Sequence, residues 1–365
     1  MKIVLAGGAS AGHVAPLLAT AAALVELDSS AQLSCVGTPR GLENQLVPAA
    51  GWPLDLVDPV PLPRRLTPKL ISLPARLHRS IGQAKQVLIS RKADLVIGFG
   101  GYVCVPVYLA ARRLNIPVVV HEANAIAGLA NRIGARQAAA CCVTFANTGL
   151  PGEQVTGLPV NRQISGLDRF GARSAARASY GLADGAPVLL VSGGSQGARR
   201  LNQAVLAALP GLDQAGVQVL HITGQANFDQ CQPDYQMTNG RYVKEAYVEA
   251  MATAYAAADL MLARSGSGTV TETAMVGLPA IFVPLPHGNG EQARNAAGLV
   301  AAGGGVMVMD DDLTADRLLK EVLPLIASPQ RLTDMAAVGQ AMMPRDAADR
   351  LARIALSIVK NGPSL

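Results

Sequence analysis

Aromatic side chains are scarce: 4% of the residues, with a single tryptophan. That argues against a carbohydrate groove lined with tryptophans and against a stacking platform for single-stranded nucleic acid. The five cysteines (Cys35, Cys104, Cys141, Cys142, Cys231) have no metal-ligand spacing, and four sit beside or inside apolar runs. Buried free thiols in a reducing cytoplasm fit that usage. No stretch approaches the roughly eighteen uninterrupted apolar residues of a membrane-spanning helix. The opening "MKIVLAGGAS" lacks the longer apolar core and cleavage pattern of a signal peptide and reads as a first strand. Also missing are a G-x-G-x-x-G dinucleotide fingerprint, the Gly-Lys-Ser/Thr end of a P-loop, and an Asp-x-Asp pair for a divalent ion.

What remains is a chain of 365 residues, 50% apolar and 16% charged, with 37 glycines and 23 prolines. Its length favours two domains, and its composition favours tightly turned α/β structure. "KIVLAG", "QLSCVG", "DLVIGFG", "PVVVH" and "AACCVTF" read as near-continuous apolar strands separated by Ala- and Leu-rich helices. That pattern indicates a parallel sheet covered on both faces. Residues 155–187 break the pattern and read as a linker region. A second series follows in "VLLVSGG", "GVQVLHITG", a short strand near 240–243, "DLMLARSG", "PAIFVPLP" and "GVMVM". The expected fold is α/β: two Rossmann-like domains, mainly parallel, with loops at the strand C-termini facing across a cleft. The expected boundaries are 1–162 and 163–345, with a helix in 346–365 packing back toward the first domain.

The net charge of +5 is unevenly distributed, with 14 Lys/Arg against 8 Asp/Glu in residues 1–160. Residues 60–92 hold eight basic side chains and no acidic one, and Arg64, Arg65, Lys69, Arg76 and Arg79 interleave with Leu, Ile and Pro. A solvated loop and amphipathic helix is one reading; a surface for anionic lipid is the other. Nucleic acid is disfavoured, since no compact recognition motif accompanies the charge. The mean hydropathy of +0.27 is high for a freely soluble protein.

The polar residues collect at strand ends. Gly7, Gly8 and Gly12 bracket a strand-to-helix turn, where small residues let a ligand approach the N–H groups of a helix start. His13 follows, as a structural hydrogen-bonding group or as a base for a hydroxyl proton. "VSGGSQGARR" repeats the device around Ser195, as a phosphate cradle or a tight turn. In "ARSGSGTVTETAMVGLP", Ser267, Gly268 and Thr269 lie at a third junction. Glu272, three residues after Thr269, fits either a capping box or bidentate acceptance from ribose hydroxyls. "PLPHGNGEQARNA" supplies Asn289, Glu291, Gln292 and Asn295, polar groups suited to a sugar. His121, Glu122 and Asn124 end another strand, without the second ligand cluster that a metal needs. Tyr102 follows a glycine run in "GFGGYVCVP".

Taken in order, "GGASAGHVAPLLA", "GFGGYVCVP", "HEANAIAGLANRIGA", "GLPV", "GGSQGARRLN", "AYAAADLMLARSGSGTVTE" and "GLPAIFVPLPHGNGEQARNA" resemble a family across essentially the whole chain. It is the UDP-N-acetylglucosamine–N-acetylmuramyl-(pentapeptide) pyrophosphoryl-undecaprenol N-acetylglucosaminyltransferases of peptidoglycan synthesis. The resemblance implies the glycosyltransferase B architecture, with an acceptor and membrane domain at 1–162 and a donor domain at 163–345. It implies inverting transfer of GlcNAc from UDP-GlcNAc to the MurNAc C4 hydroxyl of lipid I, giving lipid II and UDP. No metal or other cofactor is expected, and no nucleic acid. The expected setting is the cytoplasmic face of the bacterial cell membrane, peripherally bound to anionic lipid, with cell-wall synthesis and division proteins as further partners.

Residue by residue, the resemblance makes His13 the base. It places Ser10, Ala11, Gly12 and Asn124 toward the donor, Ser195, Ser267, Gly268 and Thr269 at the diphosphate, and Glu272 on ribose. Val248 lies near uracil through its backbone, while Glu291, Gln292 and Asn295 surround the GlcNAc hydroxyls. Tyr102, His121 and Glu122 fall on the acceptor side. The chain departs from the family pattern at Ala9 and Ser10, which replace Gly and Thr. It also departs at Asn161, a donor-side position where Arg is common and which Arg162 follows, at Gly268, and at Glu291.

Overall fold

The computed structural model describes residues 1–8, 10–60, 72–194, 197–287 and 289–361. The chain divides into two units, Met1–Asn161 with Asp346–Leu365, and Arg162–Arg345. Unit 1 contains β1 (Lys2–Ala6), α1 (Ala11–Leu27), β2 (Gln32–Gly37), α2 (Glu43–Ala49), β3 (Leu54–Leu56), α3 (Leu73–Arg91), β4 (Leu95–Gly98), α4 (Cys104–Arg113), β5 (Val118–Glu122), α5 (Leu129–Ala135), β6 (Ala140–Val143) and β7 (Glu153–Val155). Unit 2 contains α6 (Arg162–Ser165), α7 (Arg173–Ser179), β8 (Val188–Ser192), α8 (Arg199–Gln214), β9 (Gln218–Ile222), β10 (Tyr242–Glu245), α9 (Met251–Ala257), β11 (Leu260–Ala263), α10 (Ser267–Val276), β12 (Ala280–Phe282), α11 (Glu291–Ala301), β13 (Gly305–Met307), α12 (Ala315–Ile326) and α13 (Pro329–Met342). The helix α14 (Ala347–Asn361) returns to unit 1.

Every strand pairing is parallel. The strand orders are β3-β2-β1-β4-β5-β6-β7 and β10-β9-β8-β11-β12-β13. Alternation along β1 shows why its sequence is apolar throughout. Ile3 and Leu5 pack with Leu17 and Leu24 of α1 and Leu351 and Ala355 of α14. Val4 and Ala6 point to the other face, with Ile81 and Leu88 of α3 and Val107 and Tyr108 of α4. A strand covered on both faces needs apolar side chains at both parities. In unit 2, Leu189 and Val191 join Leu201, Val205 and Leu209 of α8 and Leu318 and Val322 of α12.

Two differences from the sequence reading stand out. The short strands β3 ("LDL") and β7 ("EQV") add one strand to each edge of the unit 1 sheet, where partial solvent exposure removes the need for an apolar run. The span read as a linker, 155–187, is largely built structure. Arg177, fully buried, donates to the carbonyls of Ala257 at 3.0 Å and Ala186 at 3.0 Å and to the Asp259 carboxylate at 2.7 Å. Asp259 also accepts from Val188 N–H at 2.8 Å, so this guanidinium ties the entries of β8 and β11 together. Charged groups at such depth persist because each lone pair and N–H is matched. Arg177→Ala leaves Asp259 with Arg173 as its ion partner but takes the donor from the Ala257 and Ala186 carbonyls, and is expected to cost about 1–3 kcal/mol, read in calorimetry as a lowered unit 2 transition; an unchanged transition would contradict this role.

Candidate active site

In each sheet the strand order reverses once, between β1 and β4 and between β8 and β11. Connections from neighbouring strands diverge to opposite faces there, leaving the carboxyl ends uncovered. The loop after β1 leads through Ser10, extended at φ −132° and ψ 156°, into α1. Ser10 makes no side-chain cap; its Oγ lies 3.1 Å from His13 Nδ1. His13 Nδ1 is also 2.9 Å from the Gly8 carbonyl. A carbonyl only accepts, so Nδ1 carries the proton of the neutral ring and Nε2 keeps a lone pair.

The turn after β4 meets this ring. Gly100 and Gly101 have φ of +98° and +86°, and a Cβ on Gly100 would lie 3.1 Å from His13 Nε2. Glycine is required there on both counts. Tyr102, next in the turn, is 42% exposed. Cys104 Sγ fastens the turn from below, donating to Gly100 O at 3.0 Å and Ala6 O at 3.2 Å. Burial pushes that thiol up to about 12, which keeps it protonated and unreactive.

His121 and Glu122 lie inside the fold. His121 Nε2 donates to Gly157 O at 3.0 Å, and desolvation pushes its pKa down to about 4, so the ring is neutral. It tilts against Phe99, the residue before the glycine turn, at 5.7 Å between ring centroids. Glu122 accepts from Asn124 N–H, Gly128 N–H and Asn131 Nδ2, each at 2.9 Å. These contacts shape the loop that carries half-buried Asn124. The sequence reading missed Asn131, which also donates to His121 O at 3.0 Å and accepts from Tyr108 OH at 2.9 Å. Its signal was a lone amide in the short helix "LANRIGA".

At the unit 2 reversal, Ser192 Oγ accepts from Gly194 N–H at 3.2 Å; Ser195 lies outside the described residues. The junction after β11 is held by buried Arg264, which donates to Val283 O at 3.2 Å and Pro284 O at 3.1 Å and pairs with Asp310. α10 then starts at Ser267 with Gly266 as N-cap and no side-chain cap among the described residues. Its first N–H groups suit an anionic ligand.

Thr269 is the third residue of α10 and not its cap, so Glu272 forms no capping box. Glu272 instead accepts from Tyr255 OH at 2.7 Å, and its Oε1 would lie 3.7 Å from a Cβ on Gly268. Desolvation pushes its pKa up to about 7, with the Tyr255 bond opposing. Tyr255, unnoticed in the sequence, lies one turn before β11.

Around the loop after β12, Glu291 Oε2 accepts from Asn289 N–H at 3.0 Å and Gln292 Oε1 from Leu285 N–H at 3.0 Å. Asn295 is buried and donates to Ser265 O at 3.3 Å, linking this loop to the start of α10. Val248 is half-buried beyond β10, and Asn161 is exposed at the end of the first stretch of unit 1.

Arg76 and Arg79 of α3 line a cavity of about 360 Å³ with Arg40, Asp58 and Val60. Arg76 donates to Pro59 O at 3.3 Å, and no carboxylate pairs with any of the three arginines among the described residues. Arg64, Arg65 and Lys69 lie outside the described residues. Among those described, no three His, Cys, Asp or Glu side chains are grouped as around a metal ion, and no helix is long and apolar enough to cross a membrane.

Residues 3–143 match the glycosyltransferase family 28 N-terminal domain and residues 188–351 its C-terminal domain. A UDP-N-acetylglucosamine–N-acetylmuramyl-(pentapeptide) pyrophosphoryl-undecaprenol N-acetylglucosamine transferase of Nocardioides sp. is 52% identical over 98% of both chains. The crystal structure of Acinetobacter baumannii MurG is similar at a TM-score of 0.79 and 31% identity, over 97% of this chain and 99% of that one. A UDP-GlcNAc 2-epimerase from Neisseria meningitidis, bound to UDP-GlcNAc, has a TM-score of 0.70 at 16% identity, over 98% and 100% of the two chains, and shares the fold alone.

The raised Glu272 pKa has a thermodynamic sign. The protonated form is the one that the fold favours, so this group's contribution is best below about pH 4.5 and falls as pH rises to about 7. The full change is about 3 kcal/mol. Glu272→Gln removes it while leaving an oxygen for Tyr255. The melting temperature of E272Q relative to the parent should therefore climb between pH 5 and pH 8; a pH-independent difference contradicts the assignment.

Proposed function

The chain belongs to the family of UDP-N-acetylglucosamine–N-acetylmuramyl-(pentapeptide) pyrophosphoryl-undecaprenol N-acetylglucosamine transferases, within glycosyltransferase family 28, and from that membership we propose its reaction. It transfers GlcNAc with inversion from UDP-GlcNAc to the MurNAc C4 hydroxyl of lipid I, giving lipid II and UDP. One observation carries this reading: 52% identity spans 98% of the chain, covering both reversal points.

In the proposed mechanism, the acceptor C4 oxygen bonds to the anomeric carbon as the bond to the UDP oxygen breaks. The hydroxyl proton passes to His13 Nε2, and the negative charge departs on UDP. The 2.9 Å contact from Nδ1–H to the Gly8 carbonyl supports this role, because it fixes the tautomer that a base needs. The start of α10, with Ser267, Gly268 and Thr269, receives the diphosphate together with Ser195. Each well-placed donor of this kind is worth about 3 kcal/mol to the transition state. Glu272 accepts from ribose, and Val248 meets uracil through its backbone. Glu291, Gln292 and Asn295 form or support the sugar loop. Ser10, Ala11, Gly12, Asn124 and Asn161 complete the donor contacts, and Tyr102 serves the acceptor.

Because the acceptor carries a polyprenyl chain, unit 1 works at a membrane. We place Arg64, Arg65, Lys69, Arg76 and Arg79 against anionic lipid at the cytoplasmic face, held peripherally. Each such cation contributes about 1 kcal/mol near a charged surface. Other cell-wall synthesis and division proteins are the partners this location offers.

Purified protein given UDP-GlcNAc and short-chain lipid I should release UDP and form the disaccharide in equal amounts; UDP release without disaccharide would refute the transfer. His13→Ala should lower turnover by about 10²–10⁴-fold while UDP-GlcNAc affinity stays within a few-fold, and near-normal turnover would remove His13 as base. Neutralising Arg64, Arg65, Arg76 and Arg79 together should weaken binding to anionic vesicles while leaving binding to neutral vesicles unaffected. Unchanged binding to anionic vesicles defeats the placement on lipid.

A further inference from the structure

Glu43 opens α2, a helix that carries none of the residues assigned above, and its side chain is 0% exposed. Its Oε1 accepts from Thr38 N–H and from Thr38 Oγ1, each at 2.8 Å. Three glycines clear the space it fills. A Cβ on Gly8 would lie 2.7 Å from Glu43 Cδ and 3.1 Å from Oε2, while a Cβ on Gly37 would strike Cγ and one on Gly41 the carboxylate itself. None of these three glycines has a positive φ, so close approach of the Glu43 side chain accounts for them where backbone conformation does not.

An alkyl side chain would fill the same volume without the cost of desolvating a carboxylate. The carboxylate, however, lies against the Cα of Gly8, the residue whose carbonyl accepts from His13 Nδ1–H at 2.9 Å. We propose that Glu43 is a positioning residue for the transfer reaction: seated between Thr38 and Gly8, it fixes the Gly8 carbonyl that orients His13. The route runs from the second strand's exit loop through one buried side chain to the tautomer of a ring in the first loop. This inference rests on the reading of His13 as the base. A shift of the Gly8 carbonyl by a fraction of an ångström loosens the Nδ1–H bond, lets the other tautomer form, and removes the lone pair from Nε2.

The test reads His13 by ¹⁵N NMR of histidine-labelled full-length protein, alongside steady-state kinetics of Glu43→Ala, Glu43→Gln, Gly8→Ala and the double variant Gly8→Ala/Glu43→Ala. The parent should show Nδ1–H as the dominant neutral tautomer. E43A should show mixed tautomers, with kcat lowered about 10- to 100-fold and KM for UDP-GlcNAc within about twofold. E43Q keeps the oxygen that Thr38 donates to, and should retain more activity than E43A. G8A, which drives a methyl into the carboxylate, should be impaired alone and regain rate in the double variant, where that carboxylate is gone.

Parental tautomer and kcat in E43A overturn the proposal, as do strictly additive effects in the double variant. Should E43A not fold, G8A decides: the proposal requires it to disturb the His13 spectrum, and a parental spectrum in G8A overturns it. The two readings separate cleanly. An active H13A with a shifted tautomer in E43A removes the base, and with it any part for Glu43 in the transfer, while showing that Glu43 still orients the ring. An inactive H13A with a parental tautomer in E43A does the reverse.

Discussion

A parallel strand can be followed by another parallel strand only if the chain crosses a face of the sheet and re-enters at the same end. The other features of this protein follow from that requirement. It forces the central strands to be apolar on both sides, as with Ile3 and Leu5 against one helical layer and Val4 and Ala6 against the other. It also sends all of the loops that follow strands to one edge of each sheet. Where the strand order reverses, between β1 and β4 and between β8 and β11, two such loops part and leave the starts of α1, α4, α8 and α10 uncovered by crossing chain. A phosphate-bearing donor and a hydroxyl acceptor need unsatisfied N–H groups and one base, and those four turns hold most of the candidates.

Buried carboxylates recur as organisers of irregular backbone. Glu122 gathers two donors from its own loop and a third from Asn131 of α5. Asp213, at the end of α8, accepts from the N–H groups of Thr238, Asn239 and Gly240 and from Tyr235 OH, and those bonds hold its carboxyl far below the usual range despite desolvation. Glu43 does the same for Thr38. A carboxylate has two oxygens and four lone-pair positions, so one side chain can set several peptide planes at once. Loops built this way are rigid without being regular, which suits a site that must present N–H groups at fixed points.

Much of this was legible in the sequence, for identifiable reasons. Strands buried on both faces announce themselves as apolar runs, and glycine-rich strand exits mark the ligand edge. The edge strands β3 and β7 escaped because three residues with one face near solvent leave no run to read. Residues 155–187 read as a linker because the region is anchored by Arg177 and Asp259, and charged residues in a sequence look like surface until their partners are seen. Thr269 and Glu272 have capping-box spacing, yet the helix begins two residues earlier, at Ser267, so Glu272 turns to Tyr255 instead. Asn131 and Glu43 were invisible for a related reason. Their work is to hold other backbone groups, and spacing along the chain does not report it.

The packing of α14 on α1 has a consequence for how the molecule is made. Unit 2 is contiguous, but the core of unit 1 includes Ala348, Leu351, Ala352, Ala355 and Leu356, which leave the ribosome after all of unit 2. The nascent first sheet therefore waits with Ile3, Leu5, Val14 and Leu17 lacking part of their cover while 184 residues of unit 2 emerge and close. The half of the protein that is synthesised first is finished last. Until that final helix docks, the sheet that carries the His13 loop lacks part of its core.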